Sequence, residues 1–510
     1  MNSRPFAARI LENEYRDSGT LMRVSRALET KAGVRRAAAV MATPRNLETL
    51  NRLGLAPPVI TAPVKPSDLI VVVEGEHGAD IAAVFEDLTA LLAPPKPAAA
   101  GALLPATLDD ALEAQPESRL AVVSVPGPFA AYEASKALDA GLDVMIFSNG
   151  VSLEDERWLK EKARARGQMV MGPDCGTAIL DGVALGFANA LRPGAIGVVA
   201  ASGTGLQELT CQIDQLGAGI SHAVGTGGRD LRADVGALTT LTALDRLETD
   251  PGTRVLVLIS KPPSVEVATQ VLDRATSTGR PVVACFLGPH TLAARGGVTL
   301  TESIEEAARI AAAHAGHLTP RGPAALPAET RKFGPEQRLL RGLFTGGTLA
   351  FEALTLLTDR FDLHSNLSFE KVAPTLSFRA AGHSILDMGE DEFTRGRPHP
   401  MIDPTLRHTA IRVAAEDPRV RVLLVDVVLG YGAHPDPAGE LAPVIEDYRR
   451  EVERRGDAVT VVASVTGTNA DPQNRARQVE RLRAVGVEVM NSNAAAVRRA
   501  AEYLAMEETP

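Results

Sequence analysis

The chain has 510 residues, with 53 Lys and Arg against 63 Asp and Glu, so its formal net charge is −10. At about 150 residues per domain, this length predicts about three domains. Apolar residues make up 45% of the chain and aromatic residues only 4%, so the cores must be built mainly from aliphatic side chains. A net acidic chain with few aromatics lacks the basic surface of a nucleic-acid-binding protein.

Three cysteines, Cys175, Cys211 and Cys285, are too few and too scattered for a disulfide framework or a cysteine-ligated metal site. No cluster of His, Asp or Glu has the spacing of metal ligands, so no metal is expected. The N-terminus lacks the apolar stretch of a secretory signal, and no apolar run approaches the ~20 residues of a membrane span. We therefore expect a cytoplasmic protein without a membrane or nucleic-acid partner.

Short apolar runs alternate with stretches of helical spacing along the chain. Most runs are continuous rather than alternating, which is typical of strands buried on both faces of a parallel sheet. Strand–helix alternation of this kind predicts an α/β fold of doubly wound parallel sheets. The predicted strands are Leu69–Val73, Leu120–Val125, Val144–Phe147, Ile196–Ala200, Val255–Ile259, Pro281–Leu287, Val420–Val428, Val459–Val465 and Val485–Met490.

Two proline-rich stretches, 93–98 and 317–335, interrupt these elements. The first is interpreted as a surface excursion, and the second is the stronger candidate for a linker. A third break is expected at 191–194, just before a strand. We therefore predict three α/β domains, over residues 1–190, 191–320 and 336–510.

Two glycine-rich turns each lead into a predicted helix, and they contain Ser202, Gly203, Thr204 and Gly205 in one case and Thr345, Gly346, Gly347 and Thr348 in the other. The start of a helix offers free N–H groups at the positive end of its dipole, and glycines let an anion approach the backbone. Alternatively, Ser202 only caps its helix and the glycines serve packing. Because the pattern occurs twice, we predict that the two helix starts hold one phosphate from opposite sides.

Residues 120–315 resemble the α subunit of succinyl-CoA synthetase, of the nucleoside-diphosphate-forming acyl-CoA ligase family. The matching motifs, in order, are Val125-Pro126-Gly127-Pro128-Phe129, Ala140-Gly141-Leu142-Asp143, Gly172-Pro173-Asp174-Cys175-Gly176, Ser202-Gly203-Thr204 and Gly225-Thr226-Gly227-Gly228-Arg229-Asp230. This resemblance implies a Rossmann-like CoA-binding domain followed by a flavodoxin-like domain. It implies CoA contacts by Pro126, Pro128 and Phe129, and substrate contacts by Asp174, Cys175, Gly228 and Asp230.

Residues 340–505 are similar to the C-terminal, flavodoxin-like domain of the β subunit of the same enzyme. The matching stretches are Thr345-Gly346-Gly347-Thr348, Leu386-Asp387-Met388-Gly389, Val420–Gly430 and Thr466-Gly467-Thr468-Asn469. The similarity implies substrate contacts by Gly389, Thr466 and Asn469. The ATP-grasp domain of that subunit has no counterpart in this sequence.

A fusion of these two regions without an ATP-grasp domain resembles the FdrA family over nearly the whole chain, through the signatures at 17–22, 172–177 and 396–403. That family is acyl-CoA synthetase-like and is associated with oxamate carbamoyltransferase of allantoin catabolism. The enzyme interconverts carbamoyl phosphate and oxamate with oxalurate and phosphate. The resemblance therefore implies small anionic substrates, two further protein subunits and an oligomer.

The sequence departs from the ligase pattern at the residues that carry the phosphoryl group in the ligases. No Gly-His-Ala-Gly loop follows the strand at 281–287; His290 comes too soon after that strand and is either a chemical group or an ordinary loop histidine. Lys261 stands where the ligases have a glutamate, and a lysine can bind phosphate or carboxylate. An acyl phosphate that arrives ready-made needs no phosphohistidine. The first CoA loop of the ligases also lacks a clear match, so CoA is a possible cofactor but not a required one.

Loops of the third domain supply the remaining candidates. Arg397 and His399 lie in a proline-rich loop, where Arg397 either grips a carboxylate bidentately or pairs with a nearby acid. Tyr431 and His434 follow a buried strand, at the end where open α/β sheets bind ligands. His434 is either an acid or base or an ordinary loop histidine.

The sequence thus predicts a carbamoyltransferase subunit on a CoA-ligase scaffold, whose predicted catalytic residues are Lys261, Arg397, His399 and Arg229. For Arg229 the alternative is an exposed ion pair of little consequence. Two other functions stay open. One is an acyl-CoA ligase or CoA-dependent transferase, which would need CoA. The other is an assembly subunit whose partners carry out the chemistry.

Overall fold

The computed structural model describes residues 5–16, 18–52, 55, 64–76, 79, 81–93, 105–289, 292, 295–317, 333–394 and 398–505. The chain divides into two compact units. The first comprises 1–104 together with 391–398, and the second comprises 105–390 together with 399–510. Both predicted linkers fall largely outside the described residues, and the domain boundaries near 190 and 320–336 stay predictions.

The first unit contains a three-stranded antiparallel sheet with strand order β1–β3–β2. One face of the sheet packs against α1 and α3, and the other face packs against Leu50 and Leu55. The elements are β1 (Phe6–Leu11), α1 (Ser18–Glu29), β2 (Val34–Met41), α2 (Pro44–Arg52), β3 (Leu69–Gly75), a 3-10 helix (Ala82–Phe85) and α3 (Leu88–Leu92).

The sequence predicts a parallel sheet for the first domain, which begins at residue 1. The N-terminal strands form an antiparallel sheet instead. The strand β3 pairs antiparallel with β1, with Phe6 opposite Glu74, and antiparallel with β2 on its other side. The run Leu69–Val73 is continuously apolar because β3 is the central strand and both of its faces are covered. Continuous apolar runs follow from burial on two faces, which a covered antiparallel strand shares with a parallel one.

The second unit begins with a parallel three-stranded sheet of order β4–β5–β6. Small and aliphatic side chains of α5 and α6 cover it, among them Ala130, Leu138 and Leu159. The elements are α4 (Leu108–Ala114), β4 (Leu120–Val123), α5 (Gly127–Asp139), β5 (Asp143–Ile146), α6 (Leu153–Ala165) and β6 (Val170–Met171).

A seven-stranded sheet of order β13–β12–β11–β9–β10–β7–β8 follows. The strands from β9 to β13 are parallel, whereas β7 and β8 join the edge antiparallel and precede residue 190. The elements are β7 (Thr177–Leu180), β8 (Val183–Gly186), β9 (Pro193–Ala201), α7 (Gly203–Gln215), β10 (Ile220–Gly225), α8 (Leu238–Thr249), β11 (Val255–Ser260), α9 (Val265–Ser277), β12 (Val282–Phe286), β13 (Val298–Thr301) and α10 (Ile304–His314).

The last sheet has seven parallel strands in the order β16–β15–β17–β14–β18–β19–β20. The elements, of which α12 belongs to the first unit, are β14 (Leu339–Phe344), α11 (Gly347–Leu357), β15 (Leu363–Ser365), β16 (Ala373–Pro374), β17 (His383–Asp387), α12 (Asp391–Thr394), α13 (Thr405–Ala415), β18 (Val420–Val428), α14 (Pro437–Arg454), β19 (Thr460–Thr466), α15 (Arg475–Ala484), β20 (Glu488–Met490) and α16 (Asn493–Ala505). Every strand predicted from an apolar run is present, and the α/β class with parallel sheets is confirmed.

Helices α7 and α11 meet in the apolar core that the two larger sheets share, where Leu206 and Leu209 of α7 are buried with Leu349 of α11. A Cβ atom added to Gly205 would lie 2.8 Å from Cγ2 of Thr348, so the two helices approach closely at that position. The missing side chain at residue 205 is therefore what allows the crossing.

Two buried glutamates tie the larger sheets together reciprocally. Glu208 of α7 accepts the N–H of Asn493, the first residue of α16, at 2.9 Å. Glu352 of α11 accepts the N–H of Ile304, the first residue of α10, at 2.8 Å. Each carboxyl group thus lies at the N-terminus of a helix that packs on the other large sheet, where the helix dipole favours a negative charge.

Replacement of Glu352 by Gln should remove a defined part of the pH dependence of stability. Burial raises the pKa of Glu352 from 4.5 to about 7. Below pH 4.5 both the folded and the unfolded chain hold this proton. As the pH rises to about 7 the unfolded chain loses it first, so the wild-type free energy of unfolding should fall relative to the variant by up to about 3 kcal/mol.

Urea unfolding of the wild type and of Glu352→Gln across this pH range checks the prediction. Glu480→Gln, an exposed change on α15, is the matched control and should follow the wild-type curve. A constant difference between wild type and Glu352→Gln at all pH values would show that Glu352 has the same pKa in the folded and the unfolded chain.

Gly205→Ala should destabilise the protein by about 1–3 kcal/mol, because the added methyl group clashes with the capping hydroxyl of Ser202 and with Thr348 of α11. Gly203 is the matched control, since a Cβ atom there would have no other atom within 4 Å. Gly203→Ala should change the free energy of unfolding by less than about 0.5 kcal/mol. Equal unfolding midpoints for the two variants would contradict the close approach at Gly205.

Candidate functional site

The two glycine-rich helix starts lie at carboxyl ends of parallel strands, as the sequence predicts. The helix α7 follows β9 and the helix α11 follows β14, so residues 202–205 and 345–348 (the paired helix starts) lie where open α/β sheets bind ligands. They touch through a hydrogen bond of 2.6 Å between Ser202 Oγ and Thr348 Oγ1. The sequence could not place these side chains in contact, because 146 residues separate them along the chain.

At the start of α7, Ser202 caps the helix through its Oγ, which accepts the N–H of Gly205 at 3.0 Å. Thr204 Oγ1 accepts the N–H of Thr348 at 3.4 Å. Gly203 is exposed and Thr204 is half-buried. Because first-turn N–H groups have no partner within a helix, these two residues offer amides to a ligand.

At the start of α11, a buried carboxylate already holds two of the backbone amides. Asp426, on β18, accepts the N–H of Thr345 at 2.8 Å and the N–H of Gly346 at 2.7 Å. The guanidinium of Arg407 donates to the same carboxylate at 3.2 Å. The amides of Thr345 and Gly346 are thus satisfied within the protein, and the half-buried Gly347 has the carboxyl group of Asp387 directly beside it.

Lys261 lies next to both helix starts. Ser260 is paired with Ala201 across β11 and β9, so the following residues, Lys261 and Ser202, are neighbours at the sheet edge. The Nζ of Lys261 lies 3.4 Å from the position of a Cβ at Gly347 and 3.5 Å from Glu390 Oε1. The side chain of Lys261 is one-third exposed, so its charge is available to an anion at the helix starts.

Asp387 is a functional candidate that sequence reasoning missed. It ends β17 with 2% of its surface exposed, and its Oδ1 accepts the N–H of Gly389 at 2.8 Å. Burial raises the pKa of Asp387 to about 7; Lys261 opposes this shift and Glu390 adds to it. A carboxyl group that titrates near neutral pH can donate or accept a proton. The sequence signal for it was its place in the stretch Leu386-Asp387-Met388-Gly389, which resembles the ligase β subunit.

His399 lies beside this carboxyl group. Its Nδ1 accepts the N–H of Met401 at 3.2 Å, and its Nε2 lies 2.6 Å from where a Cβ at Gly389 would be. Burial lowers the pKa of His399 to about 4, so the ring is neutral at physiological pH. Gly389 and His399 are therefore brought together near Asp387, whereas Arg397 and His290 lie outside the described residues.

The residues predicted from the α-subunit motifs have mostly structural partners. Arg229 Nε pairs with Glu156 at 2.8 Å, and the fully buried Asp230 accepts from Lys160 Nζ, also at 2.8 Å. Cys175 is buried, which raises the pKa of its thiol to about 12 and makes it a poor nucleophile. Exposed positions are Asp174 and Gly228 in their loops and Pro126, Pro128 and Phe129 around the start of α5.

The loops after β18 and β19 place their candidate residues in two environments. Thr466 is buried and donates to Glu208, and His434 is buried with Nδ1 accepting the N–H of Asp436 at 3.1 Å. Tyr431 and Asn469 instead line a cavity of about 1090 Å³ beside Gln215, at the far end of α7 from its start. These two residues are therefore brought together, but not with the paired helix starts.

Within the described part of the chain, no group of three or more His, Cys, Asp or Glu residues is placed to hold a metal ion. The same residues include no helix with the length and apolarity needed to cross a bilayer.

Two family models match the chain. A CoA-ligase model covers residues 343–503, and a model described as AllF, heavy metal-associated domain, covers residues 4–104. The second match agrees with the separate antiparallel sheet of the first unit. The first cysteine of the chain is Cys175, so residues 4–104 provide no thiolate for a soft metal ion.

Relatives extend the match to the full length. The chain is 40% identical over 500 residues to a protein of Escherichia coli (strain K12), named uncharacterized protein YahF, covering 95% of this chain and 96% of that protein. It is 33% identical over 177 residues to the α subunit of ADP-forming succinate–CoA ligase from Methanothermobacter thermautotrophicus. That match covers 33% of this chain and 56% of the ligase subunit, so the chain spans about half of that relative.

Among solved structures, a dinucleotide-forming acetyl-coenzyme A synthetase from Ca. Korarchaeum cryptofilum matches with a TM-score of 0.31 at 17% identity, covering 76% of this chain and 84% of that one. The scaffold is CoA-ligase-like by its family-model match, and the N-terminal match is to AllF. With 40% identity to YahF over 95% of its length, the chain belongs to the FdrA/AllF family.

Proposed function

We propose that the protein is a subunit of oxamate carbamoyltransferase, which interconverts carbamoyl phosphate plus oxamate with oxalurate plus phosphate. The observation that carries the proposal is the contact of two helix starts beside Lys261. The N-terminal match to AllF and the CoA-ligase-like scaffold support it. Two further subunits would complete the enzyme.

The phosphate group would bind at the exposed parts of the paired helix starts. Gly203 and Thr204 present first-turn amides of α7, and Lys261 adds a positive charge beside Gly347, the first residue of α11. Fixed amide dipoles of this kind stabilise the charge that develops on a departing phosphate. Asp426 already accepts the backbone N–H groups of Thr345 and Gly346, so α7 would provide most of the contacts to the phosphate.

In the direction of oxalurate synthesis, the amide nitrogen of oxamate forms a C–N bond to the carbamoyl carbon while the C–O bond to phosphate breaks. The nitrogen must lose one proton. Asp387 would accept that proton in its ionised form and return it to the leaving nitrogen during phosphorolysis. His399 would orient the loop at Gly389, and Arg397 would bind the carboxylate of oxamate.

Binding of CoA is the second candidate function. Pro126, Pro128 and Phe129 are exposed around the start of α5, and Phe129 presents 64% of its surface to solvent. The resemblance of this stretch to the CoA loop of the ligases, together with the exposure of its residues, is what favours a retained cofactor site. Calorimetry of the full-length protein with CoA would test this function, and an absence of binding heat would reject it.

Gly203→Asp should raise the KM for phosphate at least about tenfold, or about 1.4 kcal/mol, during phosphorolysis of oxalurate by the assembled enzyme. The new carboxylate has open space and suits the start of a helix, so the fold is kept while the phosphate is repelled.

Gly203→Ala is the control and should keep the KM for phosphate within about threefold of wild type. If Gly203→Asp leaves this KM unchanged, phosphate does not bind at α7. If the wild-type complex consumes no oxalurate in the presence of phosphate, the proposed reaction is wrong.

Asp387→Asn should lower kcat by about 100-fold in both directions without raising the KM for phosphate, since a proton-transfer group is lost but no phosphate contact. In the wild type, the rate of oxalurate synthesis should rise with pH through about 7 as Asp387 ionises. The rate of phosphorolysis should fall over the same range, because the protonated form of Asp387, which donates the proton in that direction, is then depleted. If synthesis still rises and phosphorolysis still falls with pH in the Asn variant, another group transfers the proton.

A further inference from the structure

The cavity beside Tyr431 and Asn469 differs in chemistry from the paired helix starts. It has a volume of about 1090 Å³ and lies among the β7–β8 turn, the end of α7 and the loops after β18 and β19. Arg475, the first residue of α15, is one of its lining residues. We refer to this space as the Arg475 cavity.

The guanidinium of Arg475 is held from one side only. Its Nε donates to the carbonyl oxygen of Val465 at 3.0 Å. Among the residues that the structure describes, neither terminal nitrogen of Arg475 has a hydrogen-bond or ion-pair partner. The side chain is half-buried, and burial lowers the pKa of Arg475. A desolvated guanidinium with two free N–H edges is the arrangement that binds a carboxylate bidentately.

Nearby carboxylates are committed elsewhere. Glu208 accepts from Thr466, from Gln212 Nε2 at 2.5 Å and from the N–H of Asn493. Within the cavity, Asp214 pairs with Arg192 at 2.9 Å, so these two charges cancel. Asp181 lies at the exposed β7–β8 turn, 3.5 Å from His222 Nε2. Glu208 attracts the charge of Arg475 and opposes the fall in its pKa, but no described residue forms a direct ion pair with Arg475.

The rest of the lining suits a short organic acid. Asn469 Oδ1 accepts the N–H of Ala476 at 3.0 Å, which leaves its Nδ2 donor for a ligand. Tyr431 is 57% exposed and adds a phenolic hydroxyl group. Ile179, Leu191 and Ile220 form an apolar part of the wall. A few convergent polar groups on an apolar wall are typical of small-molecule sites.

This cavity is separate from the paired helix starts. Gly203 and Gln215 are the first and last residues of α7, and Gln215 lines the cavity. A rise of 1.5 Å per residue over the helix places the two ends about 18 Å apart. A phosphate at the start of α7 and a ligand on Arg475 would therefore occupy different sites.

We propose that the Arg475 cavity binds a small mono- or dicarboxylate through a bidentate contact to Arg475, with Asn469 and Tyr431 as further donors. This site is additional to the phosphate site of the proposed function and does not depend on it. The fork of Arg475 fixes the carboxylate, and the apolar wall accommodates a short carbon chain.

Calorimetry of the full-length protein with oxalate and with succinate tests this proposal. At least one of the two should bind with a dissociation constant below about 1 mM. Arg475→Gln should weaken binding at least about tenfold, and Tyr431→Phe, at an exposed position that keeps the fold, should weaken it by about two- to fivefold. Arg477→Gln, two residues along α15 and exposed, is the matched control and should bind as wild type.

Gly203→Asp distinguishes this site from the phosphate site, because it places a repelling charge only at the helix starts. Carboxylate binding that survives Gly203→Asp and is lost in Arg475→Gln supports the proposal. Binding that is lost in Gly203→Asp but retained in Arg475→Gln would place the carboxylate at the helix starts and overturn it. Absence of binding by both acids in the wild type would also overturn it, whatever the outcome of the phosphorolysis assay.

Discussion

The hydrogen bond between Ser202 Oγ and Thr348 Oγ1 joins the starts of two helices that belong to different sheets. A side chain at Gly205 would clash with Ser202 Oγ itself and with Thr348 of α11, so the absence of one leaves room for this contact. The contact brings two positive helix-dipole ends toward one region, which costs free energy unless negative charge is nearby. The surrounding polar groups are arranged around that requirement.

Buried carboxyl groups meet the requirement in different ways. Asp426 holds two amides at the start of α11 and is itself bound by Arg407. Glu208 and Glu352 extend the same principle along the two helices, each at the N-terminus of a helix that packs on the opposite large sheet. Among the described residues, no carboxylate accepts a backbone amide at the start of α7, and the proposed function places the phosphate there. The overall charge of −10 thus has little bearing on anion binding, because helix ends and a few cations act locally.

The two proposed anion sites lie at opposite ends of α7. Lys261 and Asp387 lie near the helix starts, whereas Arg475 lies in the cavity beside the last turn of α7. A lysine suits a phosphate as a point charge, and the planar fork of an arginine suits a carboxylate. The loops after β18 and β19, which follow neighbouring strands, send Tyr431 and Asn469 toward the cavity while Thr466 packs against α7.

Local sequence determined nine of the strands and where two glycine-rich helix starts occur, because burial on two faces demands continuous apolar runs and a tight turn demands glycine. It could not distinguish the antiparallel β3 from a parallel strand, since both are covered on two faces. Only the tertiary structure decided that Asp426 accepts hydrogen bonds from two amides predicted to bind phosphate. It also decided that Asp230 forms an ion pair with Lys160 and that Asp387 is buried beside Lys261. These outcomes depend on side chains far apart in the chain, whose desolvation and pairing exist only after the sheets pack.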